Sequence, residues 1–197
     1  MDEGIIDVDD RGRCRLPGLN TVTGYPTEPG WRVGSGGLFT KPVTALKSHV
    51  VQLVWREYLS QVIALSELVI DYGWPKEMVG FDPEARGAWT FDLAVFRDAA
   101  STPPWILAGE TKSPSTAPDL DALVAALRTW ADTESVPPPG DSTKTAKAMR
   151  GLLRTRPTFL WLRAPGRRAE AFRLTFEEDR LGALEPVPDI PKYSAVN

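Results

Sequence analysis

Residues 89–113, WTFDLAVFRDAASTPPWILAGETKS, decide how this chain reads. They form two apolar segments joined by a short polar connection. Trp89 to Phe96 alternates, which predicts Trp89, Phe91, Leu93 and Val95 on one face of a strand and Thr90, Asp92, Ala94 and Phe96 on the other. Arg97 to Pro104 holds Asp, Ser, Thr and two prolines; it suits a hairpin loop and cannot continue a central strand. Trp105 to Lys112 stays apolar until it ends in Glu110, Thr111 and Lys112. The period of two places Glu110 and Lys112 on one face with Ile106 and Ala108.

If the two strands pair antiparallel, the faces carrying Asp92 and Glu110 coincide in some registers and not in others. Where they coincide, two carboxylates converge at the spacing a hard divalent cation wants, with water and a substrate phosphate completing its shell. A neighbouring lysine there stabilises a developing hydroxide or a charged phosphorane. The plainer alternative puts Asp92 on a solvated face and pairs Glu110 with Lys112 across a strand end. Spacing alone leaves both open.

Asp92, followed eighteen residues later by Glu110-Thr111-Lys112 with each group ending an apolar strand, resembles the PD-(D/E)XK nuclease superfamily. The nuclease domains of type I restriction subunits and related standalone proteins offer the nearest likeness, since Gly73-Trp74-Pro75 looks like the Gly-aromatic-Pro turn that follows their helix. The likeness spans Leu46 to Phe176. It departs from the family where a Gln-x-x-x-Tyr pair is common, because Ala126 and Trp130 stand there. The resemblance implies an α/β fold with a restriction-endonuclease-like core, a mixed central sheet flanked by helices. It implies Mg²⁺, or Mn²⁺, bound by Asp92, Glu110 and the backbone carbonyl of Thr111, with Lys112 positioning or activating water. Glu57 corresponds to the accessory helix glutamate, and Glu67 is its rival. The implied activity is endonucleolytic cleavage of DNA, with RNA left open, in restriction or defence, and with a homodimer or partner subunit for targeting.

The remaining composition narrows the classes. At 197 residues, 42% apolar and 25% charged, the chain has the length of one globular domain with a full core. A single cysteine, Cys14, excludes an internal disulfide and a cysteine-based zinc site, and a single histidine, His49, excludes histidine-rich metal sites. His49 reads as a helix-surface residue and Cys14 as a small packing residue. No Gly-x-x-x-x-Gly-Lys-Ser/Thr occurs, so no nucleotide motor is expected. No apolar run approaches a membrane span and the start is not a basic signal peptide, so a cytoplasmic protein without membrane contact is expected.

In order, residues 1–41 are read as an N-terminal β-hairpin turning at Asp9 to Gly12 and a wrapping loop anchored by Tyr25 and Trp31. Residues 42–180 are read as the nuclease-like domain and 181–197 as a proline-rich tail. Leu46, Val50, Leu53 and Glu57 share a helical stripe. The helix is expected to continue, with a break near Ser60 to Ser66, to Gly73 as its C′ residue. Met78 to Phe81 is a candidate strand. Asp119 is the candidate N-cap of a helix to Asp132 striped by Leu120, Leu123, Val124 and Leu127. Ser142 or Thr143 caps another reaching about Arg154. Phe159 to Arg163 and Ala169 to Phe176 form a hairpin, and Trp55, Trp89, Trp105 and Trp161 are packing residues.

Charge is unevenly spread. Between Asp141 and Arg173 nine Lys and Arg face only Asp141 and Glu170, a local +7, so the rest of a chain of net charge −3 carries −10. Lys144, Lys147, Arg150 and Arg154 recur at helical steps, giving a basic edge that suits nucleic-acid phosphates; a solvated helix face is the alternative.

Overall fold

The computed structural model describes residues 56–81, 91–98, 103–113 and 115–196, with three two-residue strands upstream. Those are β1 (Asp7–Val8), β2 (Cys14–Arg15) and β3 (Arg32–Val33). Then come α1 (Arg56–Ile70), β4 (Val79–Phe81), β5 (Leu93–Val95), β6 (Leu107–Thr111), α2 (Pro118–Asp132) and α3 (Lys144–Thr155). Three strands follow, β7 (Phe159–Arg163), β8 (Glu170–Glu177) and β9 (Arg180–Val187). β1 and β2 pair antiparallel with each other. The other seven strands form one sheet in the order β3 to β9. The α/β class and a mixed sheet flanked by helices are as the sequence predicts.

Within that sheet β4, β5 and β6 form an antiparallel meander, and β7 lies parallel to β6. A parallel neighbour needs a crossover, and α2 and α3 supply it. β8 and β9 continue antiparallel. Each face of the sheet has its own core. Ala64, Leu65 and Leu68 of α1 pack on Leu93, Val95, Leu107 and Trp161. Leu120, Leu123, Val124 and Leu127 of α2, with Met149 and Leu152 of α3, pack on Ala94, Ala108, Leu160 and Leu162 across the other face. Burying one such side chain is worth about 1.5–3 kcal/mol, and the alternation in β5, β6 and β7 divides their apolar residues between the two layers.

Several local expectations change. α1 runs unbroken through Ser60 to Ser66, because Gln61, Ala64, Leu65 and Leu68 keep one buried stripe across it. It ends at Ile70, short of the expected Gly73, whose φ of +72° suits glycine and turns Trp74 back so that its N–H donates to Leu68 O at 3.0 Å. α2 starts one residue before Asp119, at Pro118, a residue preorganised for a first helical position. Thr143 caps α3 by accepting the Ala146 N–H at 3.2 Å. Residues 181–187 are not a tail: they belong to β9, whose Pro186 is tolerated because β9 is an edge strand. Beyond it the chain does lie against the domain, with Trp74 Nε1 donating to Pro191 O at 3.2 Å and the Trp74 and Tyr193 rings edge to face at 5.4 Å.

Trp105 and Trp161 are buried, as expected of packing residues. The readings of Tyr25, Trp31, Leu46, His49, Val50, Leu53, Trp55 and Trp89 lie outside the described residues, as does the side chain of Glu57.

Candidate active site

β5 and β6 pair Leu93 with Gly109, so Asp92 and Glu110 come one step further along the same antiparallel ladder. The close fit there depends on Gly109: a Cβ on it would stand 3.0 Å from that of Leu93. The regular strand begins only at Leu93, because the chain bends at Asp92. That bend breaks the expected alternation. Phe91 packs in the α2–α3 layer beside Ala94 and Phe96, whereas Leu93 and Val95 face α1. Ile106 likewise precedes its strand and packs on the α1 side with Leu107, away from Ala108.

Freed from the pleat, Asp92 reaches two elements. Its Oδ2 accepts the Thr111 N–H at 2.6 Å and the Thr111 hydroxyl at 3.0 Å. Its Oδ1 accepts Gln61 Nε2 of α1 at 2.6 Å. Glu110 and Lys112 are joined to the same residue from the other direction. Lys112 Nζ donates to Glu110 Oε1 at 2.5 Å and to the Thr111 carbonyl at 2.9 Å. Thr111 is therefore the centre of a network that holds Asp92 by its N–H and hydroxyl and Lys112 by its carbonyl. Glu110 and Lys112 are 4% and 9% exposed, so this is no solvated strand end. Asp92 is half-buried and hydrogen-bonded on both oxygens, not on an open face.

The other sequence candidates separate from this network or join its periphery. Glu67 binds Arg163 through both oxygens, one of the bonds being Arg163 Nε to Glu67 Oε2 at 2.8 Å. That carboxylate holds the Arg163 guanidinium above its ordinary pKa. Glu67 is thus an ion-pair partner one strand away, since Arg163 pairs with Thr111 in the sheet. On α3, Lys144, Lys147 and Arg154 are exposed. Arg150 instead donates to Pro138 O at 3.2 Å and Asp141 O at 2.5 Å, tying down the loop before its own helix. The α3 edge also has a direction. Lys144 Nζ stands 3.8 Å from Asp119 in the first turn of α2, which leaves β6 at its Glu110 end. The last α3 residue, Thr155, accepts the Trp105 N–H at the opposite end of β6. Lys144 and Lys147 therefore lie toward the Asp92–Glu110 end of the domain and Arg154 toward the far end.

Sequence reasoning missed Gln61. It is 7% exposed, and with its amide N–H₂ on Asp92 its Oε1 is left without a hydrogen-bond partner. Leaving a buried carbonyl unsatisfied costs about 1–3 kcal/mol. The signal was a glutamine on the apolar stripe, four residues after Glu57 and before Leu65 and Leu68.

Asp92, Glu110, the Thr111 carbonyl and the spare oxygen of Gln61 are hard oxygen donors of the kind that suits Mg²⁺ or Mn²⁺; among the described residues no three His, Cys, Asp or Glu side chains cluster as a metal site. Among the described residues no helix is long and apolar enough to cross a membrane. Set beside protein-family models, curated proteins and solved structures, the chain finds no significant match in any of the three.

Proposed function

We propose that this chain is a divalent-metal-dependent nuclease with a restriction-endonuclease-like core, acting on DNA. The observation that carries the reading is the Thr111-centred network, in which Thr111 bonds Asp92 by its N–H and hydroxyl and Lys112, the partner of Glu110, by its carbonyl. The element order supports it: helix α1 followed by the three strands β4, β5 and β6 is the helix-strand-strand-strand layout that the resemblance implies.

In this reading Asp92, Glu110 and the Thr111 carbonyl would hold Mg²⁺. When bound, the ion supplies Lewis-acid charge to the scissile phosphate. The chain's own residues do the rest. Thr111 and Gln61 fix Asp92 through three hydrogen bonds. Lys112, steadied by Glu110 and the Thr111 carbonyl, brings an ammonium to orient water and offset the charge that grows on the phosphoryl oxygens. Gly109 lets the two strands lie close beside these groups, since a Cβ on it would press on Leu93. Glu57 is the accessory acid, and Lys144 and Lys147 carry the strand toward the centre. Use in restriction or defence, targeting through a homodimer or partner subunit, and a cytoplasmic setting belong to the same proposal.

A second reading, a nucleic-acid-binding or scaffold protein without turnover, rests on one observation. Lys112 already sits on Glu110 and on the Thr111 carbonyl, two of the oxygens a metal would need. Labelled duplex DNA, single-stranded DNA and RNA incubated with Mg²⁺ or Mn²⁺ separate the two. Cleavage of DNA that EDTA stops is the expected result. Binding without cleavage moves the conclusion to the second reading, and neither binding nor cleavage overturns both.

A further inference from the structure

On the α1 side, one strand over from Thr111, a cleft of about 380 Å³ opens between the end of α1, β7, the β7–β8 turn and the segment after β9. Neighbouring strands lie about 4.8 Å apart, so its Arg163 wall adjoins the candidate active site. The cleft belongs to none of the groups already assigned a role in cleavage.

Its acids and bases are unequally committed. Glu67 is taken up by Arg163 through both oxygens. Asp189 accepts the Tyr72 hydroxyl at 2.6 Å and the Ile190 N–H at 2.8 Å. Arg167 turns outward to Asp121 and Glu170. Among the described lining groups, that leaves two exposed cations without an ion pair, Arg168 and Lys192, against one exposed acid, Asp71, at the rim. In the wall, Trp161 is 1% exposed and its indole N–H has no acceptor. The uncommitted capacity of the cleft is therefore mainly that of hydrogen-bond donors and positive charge. Such a surplus is complementary to an anion with several acceptor oxygens, and the space takes a phosphate group with room to spare.

We propose that this cleft seats a phosphate of the substrate strand next to the one being cut, held by Arg168 and Lys192. The inference rests on the nuclease reading for the identity of the phosphate's owner. It gives that reading a second contact surface, on the sheet face opposite α3. A strand that crosses the β6–β7 ends is then gripped on both sides of the centre, by Lys144 and Lys147 on one and Arg168 and Lys192 on the other.

Fluorescence anisotropy of a labelled DNA in EDTA over a KCl series tests the seat without turnover. Losing this one phosphate contact reduces the slope of log affinity against log salt by about 0.7 for single strands and about 0.9 for duplex. The Arg168→Ala/Lys192→Ala double variant is expected to show that drop and a weaker affinity at every salt concentration. Both changed residues are exposed, so the variant is expected to keep the wild-type melting temperature. An unchanged slope overturns the inference even if the wild type cuts DNA. A thermal-shift arm with inorganic phosphate separates the two ideas. If the wild type binds no DNA but phosphate raises its melting temperature, and does so less in the double variant, the cleft is a free-phosphate site. In that outcome both the nuclease reading and the strand assignment fall. No response to DNA or phosphate overturns the inference entirely.

Discussion

Two carboxylate–cation pairs stand on neighbouring strands, and they are built for different purposes. Glu67 and Arg163 join α1 to β7 through a planar fork with both partners partly exposed, about a fifth for the acid and a quarter for the base. Glu110 and Lys112 lie two residues apart on one strand and are almost wholly buried. An arginine fork fixes one geometry and keeps its charge at every accessible pH. A lysine offers a point charge on a flexible stem, able to exchange partners when another cation or a substrate arrives. Burying a pair of that kind is a poor way to gain stability, because desolvation offsets much of the attraction. The contrast teaches that the Arg163 pair fastens a helix to the sheet, whereas the Lys112 pair, on the proposed function, is kept for chemistry.

Breaking the buried pair should have the largest effect. Lys112→Met leaves Glu110 without its lysine and is expected to cost about 3–5 kcal/mol in urea unfolding. Adding Glu110→Gln should restore most of that stability without restoring cleavage. If the single variant is as stable as wild type, the pair is not the buried one described here. Next comes Gly109→Ala, whose methyl would press on Leu93 and push β5 from β6 beside the buried pair. A loss of about 1–3 kcal/mol is expected by thermal or urea denaturation, and no loss would show that the strands can separate freely. The exposed fork should be less sensitive. Arg163→Lys keeps charge but loses the second bond to Glu67, for an expected cost of roughly 0.5–1 kcal/mol. A cost equal to that of Lys112→Met would erase the distinction between the pairs.

The smallest effect is a pH dependence beside the fork. Burial, and then the hydrogen bond to Asp189, hold the Tyr72 hydroxyl above its ordinary pKa of 10.0. Above about pH 10 the unfolded chain loses this proton while the folded one keeps it, so stability is full below that pH and declines as pH rises. Melting curves from pH 9 to 11 should fall less steeply for Tyr72→Phe than for wild type. Parallel curves would remove Tyr72 from the explanation.

How much of this was legible in sequence varies with the physics behind each feature. Stripes such as Leu120, Leu123, Val124 and Leu127 report their helix directly, because one period governs which residues meet the core. The Asp92…Glu110-Thr111-Lys112 spacing named groups that Thr111 links in the structure but not their register, which the Leu93–Gly109 pairing sets. The bend at Asp92 was invisible, since alternation assumes a regular pleat through Phe91 and Ile106. β9 was hidden by Pro186, a strand breaker everywhere except at a sheet edge. Arg150 matched the basic periodicity of α3, yet its place is decided by two loop carbonyls that no periodicity encodes. Gln61 was the reverse case: it falls four residues after Glu57 and was passed over, because only the contact with Asp92 gives an amide at that place a meaning.

The central claim is that the Thr111-centred network is a catalytic centre and not a buried structural ion pair. The most direct measurement is the rate of Mg²⁺-dependent DNA cleavage by wild type, Asp92→Asn and Lys112→Ala, each confirmed as folded by circular dichroism. The expected result is cleavage by wild type that EDTA abolishes, reduced at least about 100-fold in both variants, the scale of a lost acid–base or charge-stabilising group. Cleavage that survives in folded Lys112→Ala, or wild-type protein that binds DNA and leaves it intact with Mg²⁺ present, would contradict it.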